Sequence, residues 1–187
     1  MKLLSHLKRL FRSPFDHEPA RLLYLSIVGQ ARSPLFYEGY GVPDTMDGRF
    51  DMVALHTYLM LKRLQQDSPA NQELSQALFD IMFADFDQNM REMSIGDTGV
   101  AKRIKKMAEG FYGRAEAYDA AMAGDGDQQL IDAIDRNIYR KVVSSPENLA
   151  NMADYMHRCA QHLDTQSSEA LSKGDVSLPS VDAPAAP

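Results

Sequence analysis

Asp80, Asp85, Asp87, Glu92 and Asp97 crowd one stretch of this chain, and carboxylates that close either hold a hard cation or shift one another's pKa. The spacing argues against a calcium loop. Counted from Asp85, the sixth position is Met90 and the twelfth Gly96, where an EF-hand loop needs Gly and Glu. A two-metal bundle site needs Glu-x-x-His on inward helix faces, and no such tetrad occurs in the sequence. Asp87 and Arg91 instead stand one helical turn apart, where opposite charges support each other. His56 is a lone histidine in the apolar run DGRFDMVALH, a setting that suits a hydrogen-bonded structural residue better than a base or ligand. Cys159 has His157 and His162 nearby, but a Cys-His nucleophile needs an orienting third group and an oxyanion site, and neither is visible. Phosphate-cradling glycine motifs and the G-x-S-x-G elbow are missing too. The expectation is a protein with no metal, no cofactor and no catalytic residues, not an enzyme.

Cations form two clusters. Lys102, Arg103, Lys105 and Lys106 open a helix, where its dipole disfavours positive charge. They are either a solvated face or a contact for an external anion: RNA phosphate, anionic lipid or an acidic protein loop. The N-terminal MKLLSHLKRLFRSPF sets Leu3, Leu4, Leu7, Leu10 and Phe11 at helical spacing, with Lys2, Lys8, Arg9 and Arg12 between them. Such a segment either lies on an anionic membrane or ribosome surface or packs on the domain as a first helix. It is a poor secretory signal, because cations interrupt its apolar part and no cleavage site follows. Met82, Met90, Met93 and Met107 either fill core gaps or line an adaptable groove for apolar helices.

The elements that would position these residues are all helical. Apolar spacing predicts helices over Ala20–Arg32, Arg49 to Ser68-Pro69, Asn71–Met93, Asp97 or Thr98 to Met122, Gln128–Val143 and Pro146–Leu163. Asn71–Met93 is expected to be central to the core. Leu35–Gly48 reads as an ordered loop with one helical turn, and Thr45 or Asp47 as the cap of the helix that follows. The fold class is a single all-α domain: a basic segment over 1–15, a helical domain over 16–164, and a tail over 165–187 whose Ser, Ala, Asp and Pro composition predicts disorder. With 187 residues, 44% of them hydrophobic, the chain supports one core of ordinary size. A lone cysteine and no long apolar run point to a reducing, cytoplasmic setting. The net charge of -6 disfavours DNA as a partner.

Three ordered motifs, GVPDTMDGRFDMVALH (Gly41–His56), REMSIGD (Arg91–Asp97) and KKMAEGFYGRAEAYDAA (Lys105–Ala121), give the chain from Pro19 to Tyr139 a resemblance to the ubiquinol-cytochrome c chaperone family. Ser94 departs from the glycine expected there, and Met1 without an organelle-targeting extension implies a bacterial member. The resemblance implies a non-enzymatic chaperone that holds newly made cytochrome b during assembly of respiratory complex III. It further implies a peripheral position at the cytoplasmic face of the inner membrane, and a ribosome and a small partner subunit as further partners. It places the partner-binding surface at Asp44, Gly48, Arg49, Asp51, His56, Arg91, Glu92, Asp97, Tyr112, Arg114 and Tyr118, to which the basic cluster Lys102–Lys106 is added. Within that set, Arg49, Arg91 and Arg114 with Asp44, Asp51 and Asp97 are suited to an ion network clamping the loop onto the helices. The rival reading is a ribosome- or RNA-associated regulator of respiratory-gene translation. A helical enzyme of the quinone or terpenoid type would need two aspartate-rich motifs, and one, Asp85 to Asp87, is visible.

Overall fold

The computed structural model describes residues 18–67, 69–92, 97–124, 126–140 and 142–182. Among them the chain forms α1 (Glu18–Ala31), α2 (Pro34–Glu38), α3 (Met46–Gln65), α4 (Gln72–Glu92), α5 (Asp97–Met122), α6 (Gln128–Ile134), a π-helical turn (Asp135–Tyr139), α7 (Pro146–Asp164) and α8 (Ser168–Ser172). The all-α expectation holds. Lys2, Lys8, Arg9 and Arg12 lie outside the described residues.

The centre of the fold is α3, not α4 as the periodicity predicts. Every residue from Phe50 to Met60 on α3 is buried, so this helix is covered all round instead of along one stripe. Helices α1, α4 and α7 and the π-helical turn pack around it. Its start is fixed by Thr45, whose Oγ1 accepts the Gly48 N–H at 3.1 Å, with Asp47 in the first turn and Lys62 and Arg63 in the last to complement the dipole. By contrast, α4 buries Leu74, Leu78, Met82 and Met90 along a stripe and leaves its other face wet. Ser145 caps α7 by accepting from the Asn148 N–H at 3.1 Å, ahead of Pro146. Among the described residues, no helix is long and apolar enough to cross a membrane.

Two expectations need correction. The helix predicted over Gln128–Val143 stays α-helical only to Ile134, widens into the π turn and ends at Arg140 with φ 50°. The wider turn lets Ile138 and Tyr139 both reach the interior, where the Tyr139 hydroxyl donates to the Tyr40 carbonyl at 2.7 Å. Residues 165–182 of the expected tail pack on the domain. Leu171 of α8 is buried, and Val176, Leu178 and Val181 pack on the core. The backbone of this strap is held by one distant and one nearer side chain: Gln30 Nε2 donates to the Pro179 carbonyl at 2.6 Å, while Gln166 both accepts from the Ser177 N–H and donates to its carbonyl at 2.9 Å. Gly174, at φ +80°, passes so close to α1 that a Cβ there would sit 2.8 Å from Leu22 Cβ. Leu171→Ala should therefore cost about 3 kcal/mol, read as a lower urea midpoint; an unchanged midpoint would mean that the strap is not part of the folded unit.

Candidate functional site

The loop ahead of α3 is built around Phe36. Its ring meets Tyr40, His56 and Tyr155 edge to face at 5.7, 5.5 and 4.9 Å, and the Val42 N–H closes on the Phe36 carbonyl at 2.9 Å. Gly41 turns the chain at φ +69°, a conformation that glycine adopts without strain. Gly48 has a packing role: a Cβ there would lie 2.0 Å from the Pro43 carbonyl oxygen. Asp44 and Arg49 flank this contact as an exposed ion pair at 2.6 Å.

One turn along α3, Asp51 points into the protein. Its Oδ1 takes a hydrogen bond from Arg140, and Arg114 Nη2 lies 3.0 Å from the same oxygen. Burial pushes the Asp51 carboxyl up to about 7, against the pull of both guanidiniums. Tyr118 is buried beside them, and burial likewise raises its hydroxyl pKa above the ordinary value. The ion network foreseen from sequence thus splits. Asp51 and Arg114 join with Arg140, which sequence reasoning missed, while Arg49 keeps to Asp44 and Arg91 pairs with Asp87 at 2.6 Å. Arg140 had no local signal, because its partner lies 89 residues away in the chain.

Two clefts of about 470 Å³ each meet at the start of α3, sharing Asp47 and Met107. The first has mostly apolar surface, with Met46, Val53, Phe86 and Met90 on its walls, and its charged lining residues are Arg32, Arg49, Asp44, Asp47, Asp85 and Glu92. The second is cationic, lined by Lys102, Arg103, Lys106, Arg114 and Arg140 over Phe50. Arg103 reaches across to Asp47 at 2.9 Å, whereas Lys105 points elsewhere and pairs with Glu109 at 3.7 Å. Tyr112 is 61% exposed on another face of α5, with Phe79 and Phe111 in a separate cleft. Glu92 accepts from Gln88 at 3.0 Å, and the side chain of Asp97 lies outside the described residues.

His56 belongs to the core. Its Nδ1 lies 2.7 Å from the Met52 carbonyl, which only accepts, so Nδ1 carries the proton and Nε2 accepts from the Tyr155 hydroxyl at 2.7 Å. Burial holds its pKa down at about 4. The acidic run is dispersed over separate tasks: Asp80 accepts from Gln76, Asp85 from the Tyr24 hydroxyl at 2.7 Å, and Asp87 pairs with Arg91. Cys159 is fully buried, which pushes its thiol up to about 12. His157 faces Asp127 and His162 faces Ser177, so no activated thiolate is assembled there.

This architecture has close counterparts. A crystal structure of the Cbp3 homolog from Brucella abortus superposes with a TM-score of 0.78 at 40% sequence identity, covering 87% of this chain and 90% of that one. Ubiquinol-cytochrome-c reductase complex assembly factor 1 of Xenopus laevis is 29% identical over 149 residues, which is 80% of this chain and 74% of that protein. Its Homo sapiens counterpart is 26% identical over 149 residues, and the match spans 50% of that protein's length. The family model described as Ubiquinol-cytochrome C chaperone matches residues 38–178, a span that contains the loop from Glu38 onward, both clefts' α3 and α5 walls, α8 and the first part of the strap. The chain belongs to the ubiquinol-cytochrome c chaperone family.

Proposed function

We propose that this protein is a non-enzymatic chaperone that binds newly made cytochrome b at the cytoplasmic face of the inner membrane and holds it for assembly into complex III. The observation that carries this reading, beyond family membership, is the apolar cleft beside a cationic one at the start of α3. A transmembrane client emerging before its partners are in place exposes apolar helix faces flanked by charged loop residues. A groove lined by methionines adapts to such faces, since the unbranched thioether side chain repacks at low cost. Met46 is 38% exposed at the mouth of that cleft, available to a client without unfolding of the core.

Tagged protein purified under gentle lysis should bring down cytochrome b and early complex III intermediates. Met46→Glu, which places a charge in the apolar cleft, should reduce the recovered cytochrome b about tenfold while the thermal midpoint stays unchanged. Recovery of no cytochrome b by the wild type, or equal recovery by the variant, would remove the support for this reading.

A further inference from the structure

Gly99, Arg103, Lys106, Gly110 and Arg114 follow one another along α5 at steps of three or four residues, which places them on one helix face. That face lines the cationic cleft, opposite Phe50 and Arg140. Its two glycines leave the cleft open. A Cβ at Gly110 would sit 3.3 Å from Arg114 Nη1, closer than such an atom ordinarily comes to a neighbour.

The charges in the cleft do not balance. Five cations, Lys102, Arg103, Lys106, Arg114 and Arg140, line it, against Asp47 at the rim and Asp51 beneath. Asp47 is taken by Arg103, and Asp51 is one carboxylate serving two guanidiniums. Among the described residues neither Lys102 nor Lys106 has an ion-pair partner, and Arg114 Nε and Nη1 are buried with no acceptor in reach. In a chain of net charge -6, such a concentration of unmatched donors is complementary to an anion, and forked guanidiniums with lysines fit phosphate oxygens well.

The adjoining cleft identifies what is attached to that phosphate. Met107 lines both clefts, and beyond it run Met46, Val53, Phe86 and Met90, while the carboxylates on that cleft are engaged, Asp44 by Arg49, Asp85 by Tyr24 and Glu92 by Gln88, so a ligand reaching from one to the other is anionic at one end and apolar at the other. Nucleic acid fits poorly. Phe50, the ring that lines the cationic cleft among the described residues, is buried with the Arg114 guanidinium 5.3 Å from its centroid, which leaves no free face for a base to stack on.

We propose that the cationic cleft binds the phosphate headgroup of an anionic phospholipid, whose acyl chains follow the apolar cleft next to it. The acyl chains would occupy the apolar cleft that is given above to the client, but the test contains no client, so its outcome is independent of that assignment. Full-length protein is titrated by calorimetry with short-chain phosphatidylglycerol below its micelle concentration, and separately with inorganic phosphate. Saturable binding of the lipid at one per chain is expected, with phosphate binding much more weakly. Lys102→Gln combined with Lys106→Gln should weaken lipid binding about 20-fold. Arg21→Gln combined with Lys173→Gln removes the same charge from exposed positions outside the cleft and should leave affinity unchanged. Both pairs retain the basic N-terminal segment, and circular dichroism checks their folding. Absence of saturable binding, equal loss in the two pairs, or phosphate binding as tightly as the lipid would each overturn the proposal. So would an RNA oligonucleotide or acidic peptide that displaces the lipid at lower concentration.

Discussion

Gly48→Ala is expected to cost about 3 kcal/mol and to lower the urea midpoint sharply with little change in slope. The added methyl carbon would start 2.0 Å from the Pro43 carbonyl oxygen and 3.0 Å from its carbon. Both are backbone atoms, so no flexible side chain can swing aside. The carbonyl itself is held in place, because it accepts the Thr45 N–H at 2.8 Å and the proline ring fixes its own φ. Relief therefore requires the loop or the first turn of α3 to move. Either movement opens the Thr45 cap and shifts Phe50, which lines the cationic cleft, and Asp51, which pairs with two of its arginines. Gly29→Ala supplies the control: it lies within α1, exposed, with nothing within 4 Å of its added carbon. That substitution should leave stability unchanged or raise it by up to about 1 kcal/mol. Equal midpoints for the two variants would show that the Pro43 contact yields freely, and the packing role given to Gly48 would be lost.

What the sequence revealed, and what it hid, follows the range of the interactions involved. The break at Ser33-Pro34, the Thr45 cap and the Ser145–Pro146 start are local signals, and each stands at its helix end in the structure. The same holds for the Asp87–Arg91 pair, one turn apart. Centrality is not local: α3 and α4 have comparable apolar periodicity, and the even coating of α3 depends on helices that arrive from both ends of the chain. The strap was hidden for the same reason. Its Pro-, Ser- and Ala-rich composition predicts disorder, yet four apolar residues at the right places, the distant Gln30 and the nearer Gln166 suffice to hold it. In the candidate site, the types and rough order of Asp51, Lys102, Arg103, Lys106 and Arg114 were readable, but their convergence on one cleft was not. Arg140 completes that cleft from a backbone conformation that non-glycine residues seldom adopt.

Stability should depend on pH through His56, and the sign follows from its surroundings. Burial holds the folded-state pKa at about 4 against 6.5 in the unfolded chain, and the Met52 carbonyl only partly offsets this. Between those values the unfolded chain binds a proton that the folded chain excludes. The stability due to neutral His56 is therefore fully present above pH 6.5 and is lost as pH falls toward 4, by about 1.4 kcal/mol per unit and about 3 kcal/mol in all. Asp51 acts in the opposite sense. Its carboxyl is pushed up from 3.8 to about 7, so its contribution is present below pH 3.8 and is lost as pH rises through 7. The two partly cancel, and the wild-type profile alone is expected to be shallow over this range. The difference between wild type and His56→Gln isolates the histidine: relative to the variant, the wild type should lose stability steadily from pH 6.5 to pH 4 in urea titrations. His56→Phe should differ from the wild type with the same pH dependence, displaced by about 2 kcal/mol because the Tyr155 hydroxyl loses its acceptor. Parallel profiles for wild type and His56→Gln would mean that the imidazole takes up its proton without leaving the core, and its role as the neutral acceptor for Tyr155 would have to be abandoned.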